Sequence, residues 1–123
     1  LAGDAGGQGR FVPRLSATQL LQMESKLLGR WEYGTKPNVY RITKSKDIFH
    51  FEGPHQGGTV SGDLVPHGNW LQANLVPKDG GQLVGVIRLA YVKEDNTMVS
   101  NYRNASKTEW GKDITARKSA APT

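Results

Sequence analysis

The chain has 123 residues, no cysteine and a formal net charge of +5 at pH 7. A chain of this length forms one domain with a buried core, and the lack of cysteine excludes disulfides, thiolate metal ligands and cysteine nucleophiles. The positive charge favours acidic partners, although it is also an ordinary contribution to solubility. No apolar run approaches the ~20 residues that a membrane-spanning helix requires, so we predict no membrane span.

The first part of the chain is predicted to be an arm without a core of its own. Leu1–Arg14 is rich in glycine and has no apolar period, so it cannot bury enough apolar surface to fold alone. Arginine and aromatic side chains dominate binding energy at interfaces, and we therefore expect Arg10, Phe11 and Arg14 to anchor this arm on a partner. Residues 15–118 form the predicted domain, and residues 119–123 a C-terminal tail.

The domain is predicted to begin with one helix over Ala17 to Leu28. Ser16 and Gln19 have the spacing of a capping box, in which each side chain binds the backbone N–H of the other. The following leucines and methionine recur at helical spacing on one face. Gly29 is placed to end the helix, because glycine readily adopts a positive φ.

From Arg30 onward the pattern predicts short strands separated by turns. Turn residues recur every 8 to 12 residues, as in sandwiches and barrels, and short connections make neighbouring strands antiparallel. About eight strands fit an all-β, antiparallel up-and-down barrel or a strongly curved sheet. The predicted strands are Arg30 to Gly34, Val39 to Thr43, Ile48 to Glu52, Thr59 to Val65, Trp70 to Val76, Leu83 to Val92, Met98 to Arg103 and Asp113 to Lys118.

The longest of these strands, Leu83 to Val92, indicates which side chains face the interior. Alternate positions along a strand point to opposite faces, and Gly85 in its middle predicts a bend or a close approach of another chain segment. The same alternation, applied to the other strands, predicts the inward set. It comprises Leu27, Trp31, Ile42, Phe49, Phe51, Val60, Leu64, Leu71, Leu75, Ile87, Leu89, Val99 and Ile114.

The residues that could carry catalysis or bind a metal show no supporting pattern. The three histidines have neither His-x-His nor His-x3-His spacing, so we predict no metal. The carboxylates Glu52, Asp63 and Asp113 are not paired by their spacing, and no serine lies in a nucleophile elbow. We therefore predict no catalytic residues, no cofactor and no enzymatic activity.

The order of helix, Gly29-Arg-Trp31 and a series of strands resembles the start of lipocalins and other calycins. The resemblance implies a β-barrel in which Trp31 closes one end and a late arginine packs over it. Arg103 and Arg117 are the candidates for that arginine. The family's Thr-Asp-Tyr motif is absent. Separately, Gly85-Val-Ile-Arg-Leu89, Met98-Val-Ser-Asn-Tyr-Arg103 and Trp110-Gly-Lys-Asp113 are similar to a pattern in uncharacterised dinoflagellate algal proteins, which implies a plastid setting and no activity.

Two functions from different classes remain open. The first is a noncatalytic β-barrel accessory subunit that docks on a larger protein assembly. The second is a lipocalin-like carrier of a small apolar ligand or pigment, and a filled or hollow interior distinguishes the two. Nucleic-acid binding is disfavoured, because the aromatic residues alternate with apolar ones as in a core. A plastid is the favoured compartment, with an extracellular location as the alternative.

Overall fold

The structure, a computed structural model, describes residues 22–36 and 38–119. The predictions for Arg10, Phe11 and Arg14, and for the tail beyond Ser119, concern residues outside these ranges. Within the described ranges no helix has the length and apolar composition to cross a membrane. The elements are α1 Glu24–Leu27, β1 Gly29–Tyr33, β2 Asn38–Ser45, β3 Ile48–His55, β4 Gly58–His67, β5 Trp70–Pro77, β6 Gly85–Val92, β7 Thr97–Asn104 and β8 Ile114–Lys118.

The eight strands form a closed antiparallel barrel in which each strand pairs with its neighbours in sequence and β8 pairs with β1. The closing pairs are Trp31 with Lys118 and Glu32 with Arg117. Closure pairs every strand edge, which removes the exposed backbone groups of an open sheet. The predicted up-and-down barrel is confirmed, and it is the architecture that the calycin resemblance implies.

Each predicted strand overlaps one observed strand, with small differences in the bounds. β6 begins at Gly85 rather than at Leu83, and β3 continues to His55 rather than ending at Glu52. Two-residue turns connect β3 to β4 and β4 to β5. Gln56 and Gly57 in the first of these have φ values of 48° and 81°, which match the right-handed twist of the flanking strands.

The described part of the predicted helix is the short helix α1. After it, Leu28 is already extended, with a ψ of 139°, and Gly29 has a φ of 132° as the first residue of β1. A side chain at Gly29 would be strained at this φ. The predicted positive φ is thus present, although Gly29 is the first residue of strand β1 and not a separate residue that ends the helix.

One cluster of buried apolar side chains fills the barrel. All the predicted inward residues are buried except Val99 and Ile114. The prediction for Val99 is wrong, because it pairs with Ala90 on the outer wall while its neighbour Met98 faces Tyr91 inside. Ile114 pairs with Ser100 and lines the interior near one end of the barrel, but it is 37% exposed.

Gly85 allows the close approach that its position in the strand predicts. A Cβ atom at Gly85 would overlap the Tyr102 ring and the Arg103 carbonyl oxygen. The Tyr102 hydroxyl donates to the Val84 carbonyl oxygen at 3.2 Å, directly beside this glycine. Gly85 therefore leaves room for the Tyr102 ring beside the β6 backbone at one end of the barrel.

Candidate functional site

One end of the barrel is closed by α1 together with Trp31. The Trp31 side chain is fully buried, and its indole Nε1 donates to the Leu27 carbonyl oxygen at 3.0 Å. The Tyr91 ring meets it edge to face, with 6.3 Å between the ring centroids. A buried indole needs such a partner for its N–H, so this contact fixes α1 on the barrel.

The cation next to Trp31 is Lys118. Its Nζ lies 5.5 Å from the Trp31 ring centroid and donates to the Ser25 and Lys26 carbonyl oxygens at 3.2 and 3.0 Å. Burial lowers the pKa of Lys118, and the nearby charge of Lys26 lowers it further. A lysine that binds carbonyls at a helix C-terminus stabilises that terminus, so Lys118 joins β8 to α1.

The two arginines suggested by the calycin resemblance lie elsewhere. The Arg103 guanidinium is 5.2 Å from the Trp110 ring centroid and donates to the Lys107 carbonyl oxygen at 3.0 Å. Arg117 is exposed and pairs with Glu32 on the outer wall. Both positions alternate with inward ones along their strands, which directs their side chains away from Trp31. Neither arginine therefore packs over the tryptophan.

The opposite end of the barrel contains a cavity of about 120 Å³. Its lining is mainly aromatic and aliphatic and also includes the polar side chains of His55 and Ser100. The His55 ring lies 5.7 Å from the Tyr102 ring, centroid to centroid. An engineered apolar cavity of ~150 Å³ is known to bind benzene. The cavity in this barrel can therefore hold a ligand of about the size of benzene.

Tyr40 places an unsatisfied hydroxyl in the wall of this cavity. Its ring packs against Phe51 and Tyr33, with centroid separations of 5.1 and 5.8 Å. The hydroxyl is shielded from solvent and has no hydrogen-bond partner among the described residues. Burial raises the pKa of Tyr40, and the neighbouring Tyr33 raises it further.

The outer wall of the barrel carries an arginine between two tryptophans. The Arg88 guanidinium carbon lies 4.3 Å from the Trp70 ring centroid and 4.1 Å from that of Trp110. Its Nε donates to the Asn101 Oδ1 at 2.9 Å, and Asn101 Nδ2 donates to Asp113 Oδ1. Burial lowers the pKa of Arg88, and Asp113 opposes that change. We call Trp70, Arg88 and Trp110 the Trp–Arg stack.

The connection between β7 and β8 brings Trp110 to this wall. The Ala105 amide donates to the Val84 carbonyl oxygen at 3.0 Å, and the Gly111 amide to the Tyr102 carbonyl oxygen at 2.8 Å. Val86 pairs with Arg103 on the outer wall, yet it is only 4% exposed. The connection therefore covers part of β6 and β7 and fixes Trp110 on them.

A histidine and an aspartate form an ion-pair geometry on a different part of the wall. His50 Nδ1 lies 2.7 Å from Asp63 Oδ1, in directly paired positions of β3 and β4. Both side chains are well exposed, at 36% and 59%. The strand register makes this contact, and sequence spacing could not reveal it. Residues 22–36 and 38–119 contain no group of three or more histidines and carboxylates arranged to hold a metal ion.

These features define a small closed β-barrel whose distinctive polar and aromatic groups lie at one open end and on its outer wall. Comparisons of the chain with protein-family models, curated proteins and solved structures found no match.

Part of the Trp–Arg stack could have been found from the sequence. Trp70 precedes the inward Leu71, and Arg88 lies between the inward Ile87 and Leu89, so alternation alone places both on the outer wall. Trp110 lies in an irregular connection, where no periodicity indicates its direction.

Proposed function

We propose that this protein is a noncatalytic interaction module that docks on a larger protein assembly through the Trp–Arg stack. The observation that carries the proposal is the position of Trp70 and Trp110 on the outer wall, where each is half-buried. An eight-stranded barrel has an interior that side chains just fill, and Trp31 serves that purpose here. Aromatic surface on the outer wall gains apolar contact when a second protein covers it.

The chemistry of the stack supports a protein partner. Tryptophan and arginine are enriched among the residues that dominate interface energies. Arg88 is already fixed by Asn101 and both rings, so docking would cost little further side-chain entropy. Arg103 adds a second positive charge beside Trp110. The surface of the partner that would complement the Trp–Arg stack is therefore an apolar patch bordered by carboxylates.

The arm is the second contact in this proposal. Leu1–Arg14, with Arg10, Phe11 and Arg14 as anchors, would bind the partner and so extend the interface. The similarity to dinoflagellate algal proteins is the basis for placing the assembly in a plastid.

Replacement of Trp110 by alanine tests the docking surface. We expect Trp110→Ala to reduce co-fractionation of the protein with its native assembly by a factor of ten or more, because truncation of a central anchor costs about 2 kcal/mol. Ile48→Ala is the matched control, since Ile48 is 46% exposed near the β2–β3 turn, away from the stack. Unchanged co-fractionation of a folded Trp110→Ala protein would refute the stack as the docking surface.

Deletion of Leu1–Arg14 tests the arm separately. We expect the truncated protein to keep its unfolding midpoint, because the described barrel closes without the arm, and to lose association with the assembly. Association at the wild-type level would refute the role of the arm. A turnover screen on esters, glycosides and phosphates tests the noncatalytic part, and we expect rates at background.

A second candidate function, binding of a small apolar ligand, is favoured by the cavity at the open end. Its volume of about 120 Å³ suits a single small ring and not a pigment. Titration with benzene should shift the methyl resonances of Leu75 and Ile87, which line the cavity. Ile114→Trp should block entry at the partly exposed rim. The absence of saturable shifts in the wild type would exclude this function, and equal shifts in the variant would show that benzene does not enter past Ile114.

A further inference from the structure

A groove on the outer wall of β1 to β4 contains two arginines that form no ion pair with any described residue. Arg30 on β1 and Arg41 on β2 occupy directly opposite positions, and both line a groove of about 220 Å³. Like charges that face each other across a strand pair are destabilising. An anion placed between the two guanidinium groups would remove this repulsion.

The described residues leave both guanidinium groups available. Neither Arg30 nor Arg41 forms an ion pair among the described residues, where the ion pairs are Lys44 with Glu24, His50 with Asp63 and Lys78 with Glu52. The Arg30 Nε is also buried and has no hydrogen-bond partner in the described part of the chain. A buried donor without a partner is costly, and an acceptor for the Arg30 Nε–H would remove that cost.

Two carboxylates bear on the charge of this groove: Glu52, which lines it, and Glu32 on β1. Glu52 pairs with Arg41 in register, but its Oε2 accepts from Lys78 Nζ at 2.7 Å. Glu32, on the same wall as Arg30, lies opposite Arg117 on β8. The two carboxylates are therefore opposed by two further cations, and the charge of the arginine pair remains.

We propose that this groove binds a phosphate group between Arg30 and Arg41, with the Thr59 hydroxyl as a further donor at its wall. Guanidinium groups form paired hydrogen bonds to phosphate oxygens. A carboxylate has two oxygens in one plane and suits one guanidinium, whereas the oxygens of a phosphate diverge and can serve two guanidinium groups on neighbouring strands. The groove lies away from the Trp–Arg stack, so this site is independent of the proposed docking.

The test is a titration with inorganic phosphate at constant ionic strength, followed by the Nε–Hε resonance of Arg30 and by the unfolding temperature. We expect saturable changes in the wild type. Arg41→Gln, at an exposed position, should weaken phosphate binding by about ten- to a hundredfold, the usual effect of a charge-assisted hydrogen bond. Lys93→Gln removes one charge from the exposed β6–β7 turn and should bind phosphate as the wild type does.

A second arm of the experiment distinguishes the source of the phosphate group. Flotation with phosphatidylcholine vesicles that contain phosphatidic acid, lost in Arg41→Gln, would assign the site to a lipid headgroup. Saturation by inorganic phosphate without flotation would assign it to free phosphate or a soluble phosphate ester. The proposal is overturned if neither probe binds, or if Lys93→Gln weakens binding as much as Arg41→Gln does.

Discussion

Replacement of Tyr40 by phenylalanine should make the protein more stable. Tyr40 is 2% exposed, and its hydroxyl has no partner among the described residues. Burial of a hydroxyl without a hydrogen bond costs about 1–3 kcal/mol. Phenylalanine removes that cost and keeps the ring contacts with Phe51 and Tyr33. We therefore expect the free energy of unfolding to rise by about 1–2 kcal/mol.

The measurement is denaturant unfolding at pH 7, in which the midpoint should rise while the slope stays the same. Thermal unfolding should show an increase of about 4 °C per kcal/mol for a domain of this size. Tyr91→Phe is the control, because the Tyr91 hydroxyl donates to Asn96 Oδ1 at 2.7 Å. Its loss should lower stability by about 0.5–1 kcal/mol.

A Tyr40→Phe protein that is less stable than the wild type would refute this reasoning. It would mean that the hydroxyl has a partner in solution, and the cavity that Tyr40 lines is where that partner would be found. A loss of stability equal to that of Tyr91→Phe would point to an ordinary hydrogen bond, for example to a water molecule in the cavity.

Two further predictions concern alkaline pH and the glycine beneath Tyr102. Burial raises the Tyr40 pKa above its usual value of about 10. Above pH ~10 the unfolded state therefore releases a proton that the folded state keeps. The free energy of unfolding should be unaffected by this group below pH ~10 and should fall as the pH rises above it. Unfolding at a series of pH values should show a weaker alkaline loss in Tyr40→Phe, and parallel curves would contradict this. Gly85→Ala should lower the free energy of unfolding by about 1–3 kcal/mol, because the added methyl group overlaps Tyr102 and the Arg103 backbone. Gly58→Ala, where a Cβ meets only the His55 carbonyl oxygen at 3.8 Å, is the control, and equal losses in the two variants would argue against close contact at Gly85.

The barrel itself could be predicted because its strands repeat a simple pattern. Inward residues such as Ile42, Phe51 and Leu89 alternate with polar ones, and short turns determine that neighbours are antiparallel. The alternation failed in β7, where Met98 and Val99 are both apolar and Ser100 and Asn101 are both polar. In that strand the pairing with β6 decides which residues face the interior, and this register cannot be derived from the sequence of β7 alone.

The candidate sites could be predicted less well, since each depends on contacts between strands or on an irregular connection. Arg30 and Arg41 are far enough apart in sequence that only the β1–β2 register places them opposite each other. Trp110 reaches Arg88 because residues between β7 and β8 fold back on the wall. The Tyr40 hydroxyl lacks a hydrogen-bond partner in the described part of the chain because of how its neighbours pack, and a local sequence pattern does not predict that packing.

The topology of the barrel separates the proposed sites. The groove lined by Arg30 and Arg41 lies on the outer wall of β1 to β4. The Trp–Arg stack lies on the outer wall of β5 to β7, where the connection before β8 contributes Trp110. In a closed barrel of eight strands in sequential order, β1 and β2 lie across the axis from β5 and β6. A partner that covers Trp70 and Trp110 therefore leaves Arg41 accessible. Distant sites without shared partners act additively. Phosphate binding and docking are therefore tested by separate measurements, and a negative result in one does not contradict the other proposal.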